Sequence, residues 1–315
     1  MNPADIPDPR RQTPDPAYRG RLAPSPTGLL HLGHARTFWS AQFRARAAGG
    51  ELILRNEDLD STRYKMEFVT QMLEDLRWFG FEWSEGPDCG GPFAPYNQSE
   101  RMEFYRAALE KLRAGNFIYP CTCSRKDIQQ AVSAPHENAG DELIYPGTCR
   151  KKGGKWRVTS GWEAEVEIMS SGTRRPSLRF RVPDAETIEF VDGNLGPQKF
   201  VAGKDFGDFV VWRPDGVPAY QLACVADDAA MRITEVVRGA DLLVSTARQI
   251  LLYRALGLTP PAFFHCALMR DERGERLAKR HDALSLKTLR ERGFSPEQIR
   301  AGWATADKPD STKKF

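Results

Sequence analysis

Arg21-Leu22-Ala23-Pro24-Ser25-Pro26-Thr27-Gly28-Leu29-Leu30-His31-Leu32-Gly33-His34 is the stretch on which the fold turns. Its first residues read as a short strand, the two prolines and Gly28 make a turn, and an Ala-, Phe- and Trp-rich helix follows from about Leu32 to Ala48. Leu52-Ile53-Leu54-Arg55 is a second short strand of the buried type, ending at the acids Glu57 and Asp58. Strand, turn, helix and strand in close succession form the βαβ pattern of a parallel sheet. A helix that opens behind such a turn aims its backbone N–H groups and its dipole at an anion. Gly28 and Gly33 keep side chains away from a nucleotide lying on that backbone, and the imidazoles of His31 and His34 are spaced to reach phosphate oxygens. Taken alone, such a pair of histidines reads first as structural.

Outward from this stretch, Val69, Met72, Leu73, Leu76 and Phe79 share one face of a predicted helix, as do Met102, Tyr105, Leu109 and Leu112. At Tyr119 the helical pattern gives way to Cys, Pro, Gly and basic residues, which marks an insertion. Strands are expected at Leu178–Val182, Ile188–Val191, Phe209–Trp212, Tyr220–Val225 and Ile233–Val237. A helix after Ser245 should stop at Gly257, and Ser295-Pro296-Glu297-Gln298 has the capping box of a last short helix.

The chain has 315 residues, 41% of them hydrophobic and 28% charged, the composition of a soluble globular protein of about two domains. No apolar run is long enough for a membrane span, and the N-terminus has no secretory pattern. Six cysteines without an export signal argue for a reducing cytoplasm rather than a disulfide scaffold. The net charge of +3 permits a nucleic-acid partner without requiring one. Between Arg150 and Arg181, nine Lys or Arg stand against three Glu, a basic stretch that fits either a phosphate backbone or a solvated loop.

Within Pro-Ser-Pro-Thr-Gly-x-x-His-x-Gly-His, the sequence resembles the HIGH signature of the class I aminoacyl-tRNA synthetases. Arg276-Leu277-Ala278-Lys279-Arg280 resembles the second signature of that family, the KMSKS loop, departing from it at Arg276 and Ala278. The resemblance implies an α/β fold: a Rossmann-like, doubly wound parallel sheet binding ATP at the carboxyl ends of its strands. It makes His31, His34 and Lys279 the catalytic residues, and Gly28, His31, Gly33, His34 and Lys279 the ATP site, with Mg²⁺ on the phosphates. Arg21-Leu22-Ala23-Pro24-Ser25 and Arg55-Asn56-Glu57-Asp58 are similar to the glutamyl branch, whose glutamate-binding positions correspond to Arg21, Ser25, Glu57, Tyr220 and Arg238. Chemistry agrees: two carboxylates call for forked cations and an ammonium calls for an anion.

Only 36 residues follow Lys279. No anticodon-binding domain of the glutamyl-tRNA synthetase kind fits there, so the chain resembles the truncated paralogues, the glutamyl-queuosine tRNA(Asp) synthetases. That implies activation of L-glutamate by ATP and its transfer to queuosine in the anticodon of tRNA(Asp). The alternatives are the catalytic core of a glutamyl-tRNA synthetase charging the 3′ end of tRNA(Glu), and a non-catalytic zinc-containing RNA-binding paralogue. A cytoplasmic monomer with no membrane partner is the expectation.

Cys121-Thr122-Cys123 and, further on, Tyr145-Pro146-Gly147-Thr148-Cys149 offer three thiolates and a phenolate. On spacing alone they are either a closed metal site or buried free cysteines, with His136 a competing ligand. The resemblance favours a structural zinc held by Cys121, Cys123, Tyr145 and Cys149. Cys89, Cys224 and Cys266 lack partner spacing and read as packing residues. The expected organisation is a flexible arm at 1–17, the first half of the catalytic domain at 18–118 and the zinc insertion at 119–154. An acceptor-side region with the second half of the domain follows at 155–257, then the KMSKS-like loop and helical C-terminal region at 258–315.

Overall fold

The computed structural model describes residues 17–124, 126–128, 144–151, 175–269 and 285–306. Two compact units emerge, each assembled from separated stretches of chain. One takes in Pro14–Glu100, Ile233–Asp241 and Phe264–Phe315, the other Arg101–Arg232 and Leu242–Phe263.

The first unit is built on the stretch that opened the sequence analysis. Strand β1 (Arg19–Leu22) pairs in parallel with β2 (Glu51–Leu54) through helix α1 (Leu32–Ala47), which is the expected βαβ unit. Gly50, entering β2, lies so close to Tyr18 that a Cβ there would stand 2.2 Å from the Tyr18 carbonyl oxygen, so only glycine fits. Helix α2 (Met66–Phe79) turns Met72, Leu76 and Phe79 inward, as their spacing predicts, and ends at Gly80 in the left-handed region.

The phenyl ring of Phe79 stacks on Phe81 at 5.2 Å and on Trp303 at 5.6 Å. Burying a ring of that size stabilises the unit by about 2–3 kcal/mol. Trp303 belongs to the last helix (Pro296–Ala306), where Ser295 and Gln298 exchange the two hydrogen bonds of the capping box. Leu286 and Leu289, from a shorter helix at Leu286–Glu291, join the same core.

In the second unit, helix α3 (Met102–Ala114) leads into strand β3 (Ile118–Cys121). That strand forms an antiparallel sheet of order β3-β4-β7 with β4 (Ser177–Phe180) and β7 (Phe209–Trp212). Strands β5 (Thr187–Asp192) and β6 (Gly196–Val201) form an antiparallel hairpin. The described sheets are therefore mixed, which corrects the expectation of a uniformly parallel, doubly wound sheet. Antiparallel neighbours need no crossover helix between them, and β5 and β6 are joined directly by the turn Gly193–Leu195.

Tyr220–Val225, expected as a strand, is the start of helix α4 (Tyr220–Ala230). Gln221 to Asp228 are all buried, so the helix shows no exposed face, and its short apolar run carries no period to separate helix from strand. Arg101, which precedes α3, and Tyr105 of α3 both bond the buried Asp227 carboxylate, at 2.6 and 2.8 Å, and fasten α4 in place. Helix α5 (Leu243–Leu256) ends at Gly257 with φ 68°, as expected. Strand β8 (Glu235–Gly239) belongs to the first unit, and β9 (Ala262–Cys266) has its residues from Phe264 onward there. Among the described residues no helix is long and apolar enough to cross a membrane.

Candidate active site and metal centre

His31 caps α1. Its Nδ1 accepts from the Gly33 N–H at 3.2 Å, while His34 Nδ1 accepts a longer bond, 3.4 Å, from the His31 N–H. Two histidines thus perform the reciprocal capping usually given to Ser and Glu. Acceptance at Nδ1 places the proton of each neutral ring on Nε2. The rings lie 3.8 Å apart. Loss of hydration around the His34 ring, with a smaller repulsion from His31, holds its pKa below the usual imidazole value, although the residue as a whole is exposed. At neutral pH, then, His34 is an uncharged donor. A Cβ on Gly33 would stand 3.2 Å from the His31 ring, whereas one on Gly28 would meet nothing within 4 Å.

Behind this helix terminus the strand ends gather the charged groups. Arg21 on β1 is buried and donates from Nη1 to the Val237 carbonyl of β8 at 3.1 Å, next to Arg238. The Glu57 N–H donates to the Pro24 carbonyl at 3.0 Å, which brings Glu57 beside the turn carrying the exposed Ser25. The Glu57 carboxylate meets Arg55 Nη2 at 3.1 Å, both side chains being buried. Arg238 is 5% exposed and donates from Nε to His265 Nε2 at 3.3 Å.

Arg21, Ser25, Gly28, His31, Gly33, His34, Glu57 and Arg238 therefore share one unit. Tyr220 belongs to the other, where it is the first residue of α4 and 40% exposed. Lys279, with Arg276 and Ala278, lies outside the described residues, as do His136, most of the basic stretch and the N-terminal arm up to residue 16. Sequence reasoning missed His265, which is fully buried and bonded to Arg238. An ionisable residue inside the apolar run Ala262-Phe263-Phe264-His265-Cys266 was the available signal.

The second constellation is compact. The Sγ atoms of Cys121, Cys123 and Cys149 lie within 4.8 Å of one another. The Tyr145 hydroxyl is 3.4 Å from Cys121 Sγ and 3.6 Å from Cys123 Sγ, and it accepts from the Cys149 N–H at 2.8 Å. Ligand bonds of about 2.0–2.3 Å imply tetrahedral edges of roughly 3.5–3.8 Å, so this donor set fits a small tetrahedral ion. Burial raises the Cys149 thiol, but hydrogen bonds from Tyr145, from the Thr122 backbone and from the other two cysteines outweigh it and bring the pKa down to about 7. Burial pushes Cys123 up to about 11. Of the other cysteines, Cys224 and Cys266 are buried as expected of packing residues, while Cys89 is exposed and does not pack.

The family description "tRNA synthetases class I (E and Q), catalytic domain" matches residues 17–308. A protein of Symbiobacterium thermophilum named glutamyl-Q tRNA(Asp) synthetase is 51% identical over 280 residues, 89% of this chain and 83% of that one. A glutamate–tRNA ligase 2 of Nitrosococcus oceani is 44% identical over 90% of this chain but 58% of its own length. The crystal structure of a glutamate-tRNA synthetase from Elizabethkingia anophelis superposes with a TM-score of 0.66 at 29% identity, covering 89% of this chain and 54% of that one. Helix terminus, strand-end cations and sequence likeness agree, and the chain belongs to the class I tRNA synthetases of the E and Q group.

Proposed function

We propose that the protein is an ATP-dependent ligase that activates L-glutamate and transfers it to queuosine in the anticodon of tRNA(Asp). The observation that carries this is the 51% identity, shared across most of both chains, with the relative of that name.

In the first step a glutamate carboxylate oxygen attacks the α-phosphorus of ATP. A P–O bond forms as the bond to pyrophosphate breaks, leaving glutamyl adenylate. Arg21 and Arg238 pair the two substrate carboxylates, and Glu57, already sharing its charge with Arg55, takes the ammonium. Ser25 adds a hydroxyl beside Glu57, and Tyr220 is a further glutamate-binding residue by likeness to the glutamyl branch. His31 and His34 donate Nε2–H bonds to phosphate oxygens over the backbone at Gly28 and Gly33, and Lys279 counters charge on the departing pyrophosphate. Mg²⁺ bound with ATP screens the same charge. Positioning and electrostatics then carry the step without a protein nucleophile. In the second step a queuosine hydroxyl attacks the acyl carbon and AMP leaves. The reaction belongs to the cytoplasm, where ATP and tRNA are available.

Zinc at Cys121, Cys123, Tyr145 and Cys149 is proposed as structural, supported by the fit of the four donors to a tetrahedron. It orders the surrounding loops.

Radiolabelled glutamate offered to queuosine-containing tRNA(Asp), the same tRNA without queuosine, and tRNA(Glu) tests the reading. Label on the first alone is expected. Label on tRNA(Glu) makes the protein a charging enzyme, and absence of glutamate-dependent pyrophosphate exchange makes it a binding module.

A further inference from the structure

We propose that Arg179 is a positioning residue of the metal centre, its guanidinium setting both the Cys121 sulfur and the Tyr145 ring in the arrangement that receives the ion. This rests on the zinc reading above.

Arg179 stands on β4, the central strand of the antiparallel sheet, and is 8% exposed. Its Nε donates to Cys121 Sγ at 3.3 Å, and its Nη1 donates to the Asp208 carbonyl at 2.9 Å. The guanidinium carbon lies 4.0 Å from the centroid of the Tyr145 ring. One side chain therefore touches two of the four donors, which come from separate parts of the chain. The register between β4 and β7 shifts between Leu178 and Arg179, an irregularity of the kind that re-aims a side chain. Ser177, two residues earlier on β4, pairs with Cys121 and donates to its carbonyl at 3.1 Å, so the strand grips the ligand residue at backbone and sulfur.

The charge balance explains why a cation belongs there. Three thiolates and a phenolate around a divalent ion leave two negative charges in a partly buried site, and a guanidinium in contact offsets one of them. An N–H directed at a ligand sulfur also fixes its orientation, the usual work of groups behind a metal ligand. A phenol is an uncommon zinc donor, and a cation over its ring stabilises the electron-rich form that binds metal. Lysine cannot reproduce both contacts, because its ammonium has no planar fork. A purely architectural arginine would need only the bond to the Asp208 carbonyl.

The test uses the full chain, with far-UV circular dichroism confirming the fold of Arg179→Gln and Arg179→Lys. Zinc content, the rate of zinc loss to a chromophoric chelator, and the absorption spectrum of the Co²⁺-substituted protein are measured for each. Zinc loss about 10–100-fold faster in Arg179→Gln is expected, with partial recovery in Arg179→Lys and a shifted thiolate-to-cobalt band in both. Unchanged release and spectra in zinc-loaded variants overturn the role of Arg179 and leave the zinc site standing. Wild-type protein that takes up neither metal overturns both. Should Arg179→Gln fail to fold, Arg179→Lys decides by the same measurements.

Discussion

Asp75 gives the fold a measurable dependence on pH. It lies on α2 with no exposed surface, its Oδ1 accepting from Gln71 Nε2 at 2.9 Å and its Oδ2 without a hydrogen-bond partner among the described residues. Arg290, 3.7 Å away on the helix Leu286–Glu291, is too far to compensate fully. Burial therefore raises the carboxyl from 3.8 to about 6, against the lowering effects of Gln71, Arg290 and Lys287. The folded protein holds this proton in a range where the unfolded chain has released it. The contribution of Asp75 to stability is thus greatest below the unfolded value and falls as pH rises from about 4 to 6. At about 1.4 kcal/mol per pKa unit the loss is at most about 3 kcal/mol, and partial hydration through the half-buried Arg290 reduces it to about 2 kcal/mol. Asp75→Asn keeps the acceptor for Gln71 and removes the ionisation. Chemical denaturation of both proteins from pH 4 to 7.5 should show the variant gaining about 2 kcal/mol on the wild type across that window, with most of the gain complete by pH 6.5. Parallel stability profiles, or a variant that loses ground as pH rises, would refute the reasoning.

Three further outcomes follow from the site and core. Replacing His265 by Leu removes the acceptor that orients Arg238, so the KM for glutamate in pyrophosphate exchange should rise about 10-fold with a smaller change in kcat, a loss of about 1.4 kcal/mol; equal falls in kcat and kcat/KM would point elsewhere. Because the His34 pKa is lowered, its ring should show no NMR titration between pH 8 and 5.5, and the folded state should lose the associated stability as pH falls below the ordinary imidazole value of 6.5. Phe79→Ala opens a cavity between Phe81 and Trp303 and should cost about 3–5 kcal/mol in denaturation, whereas a cost under about 1 kcal/mol would mean that these rings do not form the core.

The parts of the fold legible in the sequence are those whose signals are local. Turn residues, the His31 terminus and the stripe of Met72, Leu76 and Phe79 announce β1, α1, β2 and α2 because each pattern is complete within one element. The capping box at Ser295 and the glycine at 257 are legible for the same reason. Helix α4 was misread because burial on every side erases the period that distinguishes helix from strand. The three cysteines and Tyr145 were legible as donors, but only their convergence across the gap between Cys123 and Tyr145 makes them a site. Asp75 shows the limit: it flanks the stripe of Met72, Leu76 and Phe79, but its burial beside Arg290 depends on a segment more than two hundred residues away.

The residues that sequence reasoning missed have one physical trait in common. His265 and Arg179 each contact another side chain of the candidate sites, the first Arg238 and the second Cys121 and Tyr145. Neither sits in a motif, since a supporting contact demands a particular position in space and tolerates any sequence context that delivers it. Arg21, Glu57 and Cys121 are recognisable by chemical type beside a turn, a strand end or a second cysteine. Their supports come from β4 and β9, strands whose own sequences advertise only burial. A buried polar or charged residue in such a strand is costly unless something nearby requires it. That cost is the signal that leads from an apolar strand to the group behind a functional one, and it marks Arg179 and His265 as the positions where substitution should disturb chemistry without touching substrate.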